Sequence, residues 1–203
     1  MSNNFTKVRQ SNIELLRIVS MFLVVMTHAN LSSIGYPTVE ELSSKPFPAE
    51  LRILFAQFSV ICVNLFVLIS GWFGINVKCK SIITFLFQWL FFAVLLMTFY
   101  PFLQGSNILS YPQLTYQVIS MNRLWFVPSY IVLYLSAPIL NAFVERSNKL
   151  QFKVILIAFF SFEFIFGWLL NGANDIFMGG SSPLSFAGLY LLARYIRIYP
   201  PSL

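Results

Sequence analysis

The stretch Ile82-Ile-Thr-Phe-Leu-Phe-Gln-Trp-Leu-Phe-Phe-Ala-Val-Leu-Leu-Met-Thr-Phe-Tyr-Pro-Phe102 decides the fold. It carries no charged side chain from end to end. An apolar helix crosses the hydrocarbon core of a bilayer in about 20 residues, so this run is long enough to span it. The same reading extends outward. Leu51 to Trp72 and Phe152 to Leu170 are equally clear. Asn12 to Ala29 carries charges, Leu124 to Val144 carries prolines, and Pro183 to Ile198 is short. Composition agrees with these runs. The chain has 203 residues, of which 58% are hydrophobic and 10% charged, and its mean hydropathy is +0.75. A soluble domain is about 45–50% apolar and about 25% charged. Disorder, a collagen-like repeat and a coiled coil are excluded. A soluble single domain is excluded too, since so much apolar surface could not be hidden at this size. The expected fold is an all-α polytopic integral membrane protein with about six transmembrane helices, forming one transmembrane domain over residues 1–203.

Loop charges give an orientation. With the N-terminus in the cytoplasm, the inner segments hold Lys7, Arg9, Lys78, Lys80, Arg146, Lys149, Lys153, Arg194 and Arg197. The outer loops hold only Lys45, Arg52 and Arg123. The positive-inside rule therefore places both termini of this multi-pass protein in the cytoplasm. The net charge of +6 is explained by this sidedness. The basic residues form no dense cluster, so no nucleic-acid partner is expected. Glu14, Arg17 and His28 argue against reading the first apolar stretch as a cleaved signal peptide. Cys62 and Cys79 show no metal-ligand spacing and are read as free thiols. The segment after the first span, with Pro37, Pro46, Pro48, Glu40, Glu41 and Glu50, predicts a polar, irregular connector of roughly twenty residues.

The first span is the informative one. Arg17 and His28 are eleven residues apart, and eleven steps of about 100° return to within about 20° of the start. They share a helix face and lie about 16 Å apart along the axis. Glu14, three residues before Arg17, can pair with it and orient it. A charge at the centre of a bilayer costs about 2.5–3.5 kcal/mol, so such a face is expected to line a protein cavity. Histidine titrates near neutral pH and can take a proton from a hydroxyl. Arginine stays charged and makes forked bonds to phosphate or carbonyl oxygens. One helix thus carries an anion anchor toward the cytoplasm and a base toward the outside.

At these residues the chain resembles the membrane acyltransferase-3 family, whose first span carries an Arg-x10-His signature. Two further segments are similar to family motifs. They are Val63-Asn-Leu-Phe-Val-Leu-Ile-Ser-Gly71-Trp-Phe and Leu124-Trp-Phe-Val-Pro-Ser-Tyr-Ile-Val-Leu-Tyr-Leu-Ser-Ala-Pro138. The resemblance implies an O-acyltransferase of the plasma membrane that takes an acyl group, usually acetyl, from cytoplasmic acyl-CoA. The acceptor would be a hydroxyl of a carbohydrate at the cell surface. It implies a catalytic His28 and an Arg17 that contacts the donor. Asn64 and Trp125, inside the matched segments, become expected substrate contacts. Lys78 and Lys80 stand where many members carry arginines, and are expected to help hold the donor as point charges. No permanently bound cofactor and no metal is expected. Family members have about ten spans, so the chain is expected to correspond to an N-terminal part of the enzyme. A transporter fragment and an inactive truncated membrane protein are the alternative readings.

Other polar residues fall within spans. Ser70 and Gln88 are expected to act as interhelical contacts. Glu163, a carboxylate in mid-span, is expected to be protonated or turned inward. Pro128 and Pro138 are expected to interrupt the fourth helix, and Gly71 and Gly74 to let the chain turn at the inner face.

Overall fold

The computed structural model describes residues 11–30, 35–103, 125–170 and 176–200. Lys7, Arg9, Arg123 and Leu124 lie outside these residues. The described residues are helical, without a strand. They form α1 (Ser11–Ala29), α2 (Val39–Ser44), α3 (Pro46–Val60), α4 (Cys62–Phe73), α5 (Cys79–Leu103), α6 (Phe126–Arg146), α7 (Lys149–Phe164) and α8 (Pro183–Ile198). A π turn, Ile165–Leu169, extends α7.

Four stretches among the described residues are long and apolar enough to cross a membrane. They are α1, the α3–α4 stretch Pro46–Phe73, α6, and Lys149–Gly167. The other two expected spans are present as helices, α5 with 25 residues and α8 with 16. Only the stretch Cys79–Leu95 of α5 stands out as apolar, and it is shorter than the four. Large apolar side chains such as Phe22 on α1 and Phe87 and Phe91 on α5 are exposed, as suits helices with apolar surroundings.

The chain divides between Ser70 and Gly71 into two compact units. In the first, α1 packs on α3, with Ser20 fully buried and its hydroxyl returned to the Leu16 carbonyl. Ala49 and Ala56, seven residues apart and so on one face of α3, are also buried. Small residues at such seams let membrane helices approach closely. From Gly35 on, the connector after α1 is more regular than its composition predicts. Thr38 and Glu41 form a capping box that opens α2. Its Thr-x-x-Glu pattern is the signal for it in the sequence. Pro46 opens α3 ahead of the Leu51 start expected for the second span, because a proline in the first turn gives up no intrahelical hydrogen bond. Arg52 donates to Glu41 Oε2 at 3.2 Å and to the Gly35 carbonyl at 2.8 Å. The Gly35 amide in turn donates to the Asn30 carbonyl.

In the second unit, α6 and α8 run in the same direction and α7 runs back between their ends. Ser129 meets the Ser181 carbonyl and Asn141 meets Tyr190, so α6 and α8 advance together. Phe152 stacks on Tyr195 while Glu163 meets Ser185, so α7 runs the other way. Val144, Phe152 and Leu156 form a core covered by Phe143, Leu191 and Tyr195. Two sequence expectations are corrected here. α6 is continuous through Pro138, and Pro128 sits in its first turn, where no amide is missed. Gly71 makes no turn. It lies in α4 against the backbone of α8, where a Cβ would stand 2.6 Å from the Tyr190 carbonyl oxygen. Gly74, with φ of +75°, makes the turn alone.

Candidate active site

The Arg17 guanidinium donates to Glu14 Oε1 at 3.1 Å, as the three-residue spacing predicts. His28 is exposed near the end of α1 and has no hydrogen-bond partner among the described residues. The seam that holds α1 fixes where these groups face. Ser20 marks its centre. Arg17 lies three residues before Ser20 and His28 eight after, which turns both about 60–80° to the same side. Glu14 lies farther around on that side. The three side chains therefore line one flank of α1, beside the packed seam and open to approach. Thr27, next to His28, has its hydroxyl 3.9 Å from the Cys62 sulfur at the start of α4. Asn64, two residues beyond Cys62, is half-buried and points about 200° around α4 from that contact. It is not brought to the Arg17–His28 flank by way of α4's contact with Thr27.

The other expected site residues belong to the second unit. Lys78 and Lys80 are exposed at the start of α5. Trp125 is partly exposed just before α6, with its ring 6.3 Å from those of Phe126 and Phe186.

The segment that carries the lysines is held by side chains that sequence reasoning missed. Tyr190 is fully buried. Its hydroxyl accepts from the Ile75 amide at 3.0 Å and donates to Asn141 Oδ1 at 2.7 Å. Asn141 Nδ2 donates to the Ile75 carbonyl at 2.9 Å. Tyr134 accepts from the Lys78 amide at 2.9 Å and donates to the Asn76 carbonyl at 3.1 Å. Asn141 in an apolar helix was the available signal, since an amide taken even partly out of water must find partners. Glu163 is turned inward as expected. It is buried and accepts a hydrogen bond from Ser185, whose amide is capped by the Ser182 hydroxyl at 3.1 Å.

A permanently charged donor braced by a carboxylate, and an imidazole on the same open flank, equip α1 to hold an anionic or carbonyl oxygen and to accept a proton. The chain's apolar helices make this a multi-pass membrane protein with ionisable groups displayed on one span. The family model of the acyltransferase-3 type, described as an acyltransferase domain, matches residues 10–202, and the chain belongs to that family. It is an acyltransferase for groups other than aminoacyl groups. No curated protein and no solved structure matches the chain.

Proposed function

We propose that the protein is an O-acyltransferase of the plasma membrane. It moves an acyl group, acetyl in the simplest case, from cytoplasmic acyl-CoA to a hydroxyl of an extracytoplasmic carbohydrate. It does so from a six-span fold with both described ends of the chain at the cytoplasmic face. The observation that carries this reading is the flank of α1, where Glu14 braces Arg17 and His28 stands open on the same side. The sidedness is supported by the second unit, where Lys78, Arg146, Lys149 and Arg197 all lie at the ends of α5 to α8 that meet around the Gly74 turn.

In the reaction, His28 takes the proton of the acceptor hydroxyl as its oxygen attacks the thioester carbonyl. A carbon–oxygen bond forms, the tetrahedral centre collapses, and the carbon–sulfur bond breaks. The departing CoA thiolate takes the proton back from His28. Arg17 holds an oxygen of the donor, and Glu14 fixes the angle of its guanidinium.

The test uses the whole protein in native membranes with radiolabelled acetyl-CoA and a hydroxyl acceptor from the same cells. His28→Ala is expected to reduce transfer to background with membrane insertion unchanged. Arg17→Lys is expected to raise KM for the donor about tenfold or more, because lysine lacks the fork. Transfer by His28→Ala at the wild-type rate would overturn the assignment. Transfer that proceeds without any acyl-CoA would overturn the donor.

A further inference from the structure

His28 makes no hydrogen bond among the described residues, so its place depends on what holds the last turn of α1. A helix end leaves its last carbonyls without intrahelical partners, and it frays unless other groups take them up. Two ties flank His28. Just before it, the Thr27 hydroxyl stands 3.9 Å from the Cys62 sulfur. Just after it, the carbonyl of Asn30, a buried residue, accepts from the Gly35 amide at 2.8 Å. Gly35 has a φ of +72°, where glycine avoids the strain that a side chain would bring. Its own carbonyl accepts from Arg52 Nη2 at 2.8 Å. Arg52 belongs to α3, so one guanidinium and one glycine turn tie the C-terminal end of α1 to that helix.

The guanidinium is itself aimed. Its Nη1 donates to Glu41 Oε2 at 3.2 Å, and the same oxygen accepts from the Thr38 amide at 3.0 Å. Glu41 thus serves the capping box of α2 and the ion pair with Arg52 at once. The Glu41 side chain is half exposed, and an ion pair so open to water adds little stability. Direction is what it supplies: a planar fork held at two acceptors fixes an angle that an ammonium would leave free.

We propose that Arg52 is a positioning residue for acyl transfer, holding the end of α1, through Gly35, where His28 reaches the acceptor hydroxyl. The inference rests on the function proposed above, in which His28 is the base. Arg52 touches no reacting atom. It acts through the backbone on either side of His28, and a misplacement of about 1 Å at a reacting group can cost about a hundredfold in rate. Holding the backbone rather than the imidazole leaves the ring free to take a proton and return it.

His28 is the only histidine among the 203 residues. The full chain, purified in detergent without a histidine tag and labelled with ¹³Cε1-histidine, therefore gives one assigned histidine signal. That signal, kcat and KM for acetyl-CoA, and the unfolding temperature are measured on the same samples. Arg52→Gln is expected to lower kcat about tenfold, to leave KM for acetyl-CoA within about twofold, and to shift or broaden the His28 signal. Arg52→Lys, which keeps the charge without the fork, is expected to recover part of both. Gly35→Ala disturbs the turn with Arg52 in place and is expected to match Arg52→Gln. A purely structural role would lower the unfolding temperature or the folded fraction without moving the His28 signal or kcat per folded molecule, and that result would overturn the inference. Wild-type kcat and an unmoved signal in both Arg52→Gln and Gly35→Ala would overturn it as well. So would a fall in kcat with the signal unmoved, since Arg52 would then act other than through His28. If His28→Ala is inactive while Arg52→Gln is fully active, the inference alone fails; if His28→Ala transfers at the wild-type rate, the proposed function fails and the inference with it.

Discussion

Replacing Tyr190 by phenylalanine removes one oxygen from the centre of the second unit. That oxygen accepts from the Ile75 amide and donates to Asn141 Oδ1. Tyr190 is fully buried, so the buried Ile75 amide loses its partner out of reach of water, while the half-buried Asn141 loses one of its partners. A buried polar group left unsatisfied costs about 1–3 kcal/mol. Side-chain hydrogen bonds between membrane helices average only about 0.6 kcal/mol, because the unfolded reference also finds partners. The amide of Ile75 sits in a turn fixed by Gly74 and has no second acceptor in that geometry, so the larger figure governs. The expected loss is about 2–3 kcal/mol. At about 2–4 °C per kcal/mol for a chain of this size, Tm falls by about 4–12 °C. The assay is thermal unfolding of the purified protein in detergent. Tyr195→Phe, which loses a hydroxyl without a hydrogen-bond partner among the described residues, is the control, and it should stay within about 0.5 kcal/mol of wild type. A fall under 2 °C for Tyr190→Phe, or one equal to that of Tyr195→Phe, would refute the reasoning.

Two further substitutions test the packing and the buried carboxylate. A methyl group at residue 71 meets the Tyr190 carbonyl oxygen at 2.6 Å and the Ala193 Cβ at 2.8 Å, both of which move only with the backbone. At residue 188 the nearest atoms a methyl group would meet all belong to the Phe159 ring, which can turn. Gly71→Ala should therefore lower Tm clearly more than Gly188→Ala, by about 1–3 kcal/mol of overpacking against less; the reverse order would contradict the packing. Glu163→Gln keeps an acceptor for the Ser185 hydroxyl, so stability should change by less than about 1 kcal/mol and transfer should persist. Loss of transfer at unchanged Tm would show that the carboxylate takes part in chemistry rather than in holding α7 to α8.

The all-helical membrane class was legible because it rests on long averages: four described stretches are long and apolar enough to cross a membrane and a fifth, in α5, is apolar but shorter. The Glu14–Arg17 pair and the common flank of Arg17 and His28 were legible because both depend only on helical periodicity. What failed to show depended on tertiary partners. Pro138 was expected to break α6, but a helix embedded among neighbours continues through it. Gly71 read as a turn, because nothing in the local sequence reveals that the Tyr190 backbone lies 2.6 Å from its missing Cβ. The regular connector was partly a failure of reading, since Thr38 and Glu41 stand at capping-box spacing in plain view.

The two units treat polar groups in opposite ways, and the contrast bears on function. In the second unit, Tyr134, Asn141 and Tyr190 satisfy the backbone of the Gly74 turn with side-chain partners. Such bonds hold the lysine-bearing segment in one geometry, so a ligand that binds there does not bear the entropy of ordering it. On α1 the seam buries Ser20 and leaves Arg17 and His28 beside it. A base that must exchange a proton with an acceptor needs an open approach, and a histidine locked in a hydrogen bond would have to break it first. Rigid presentation of charge and open presentation of the base are different requirements. They explain why the Tyr190–Asn141 network contains neither Arg17 nor His28. Substitutions in that network should therefore act on stability and donor affinity together, whereas His28→Ala should act on turnover alone.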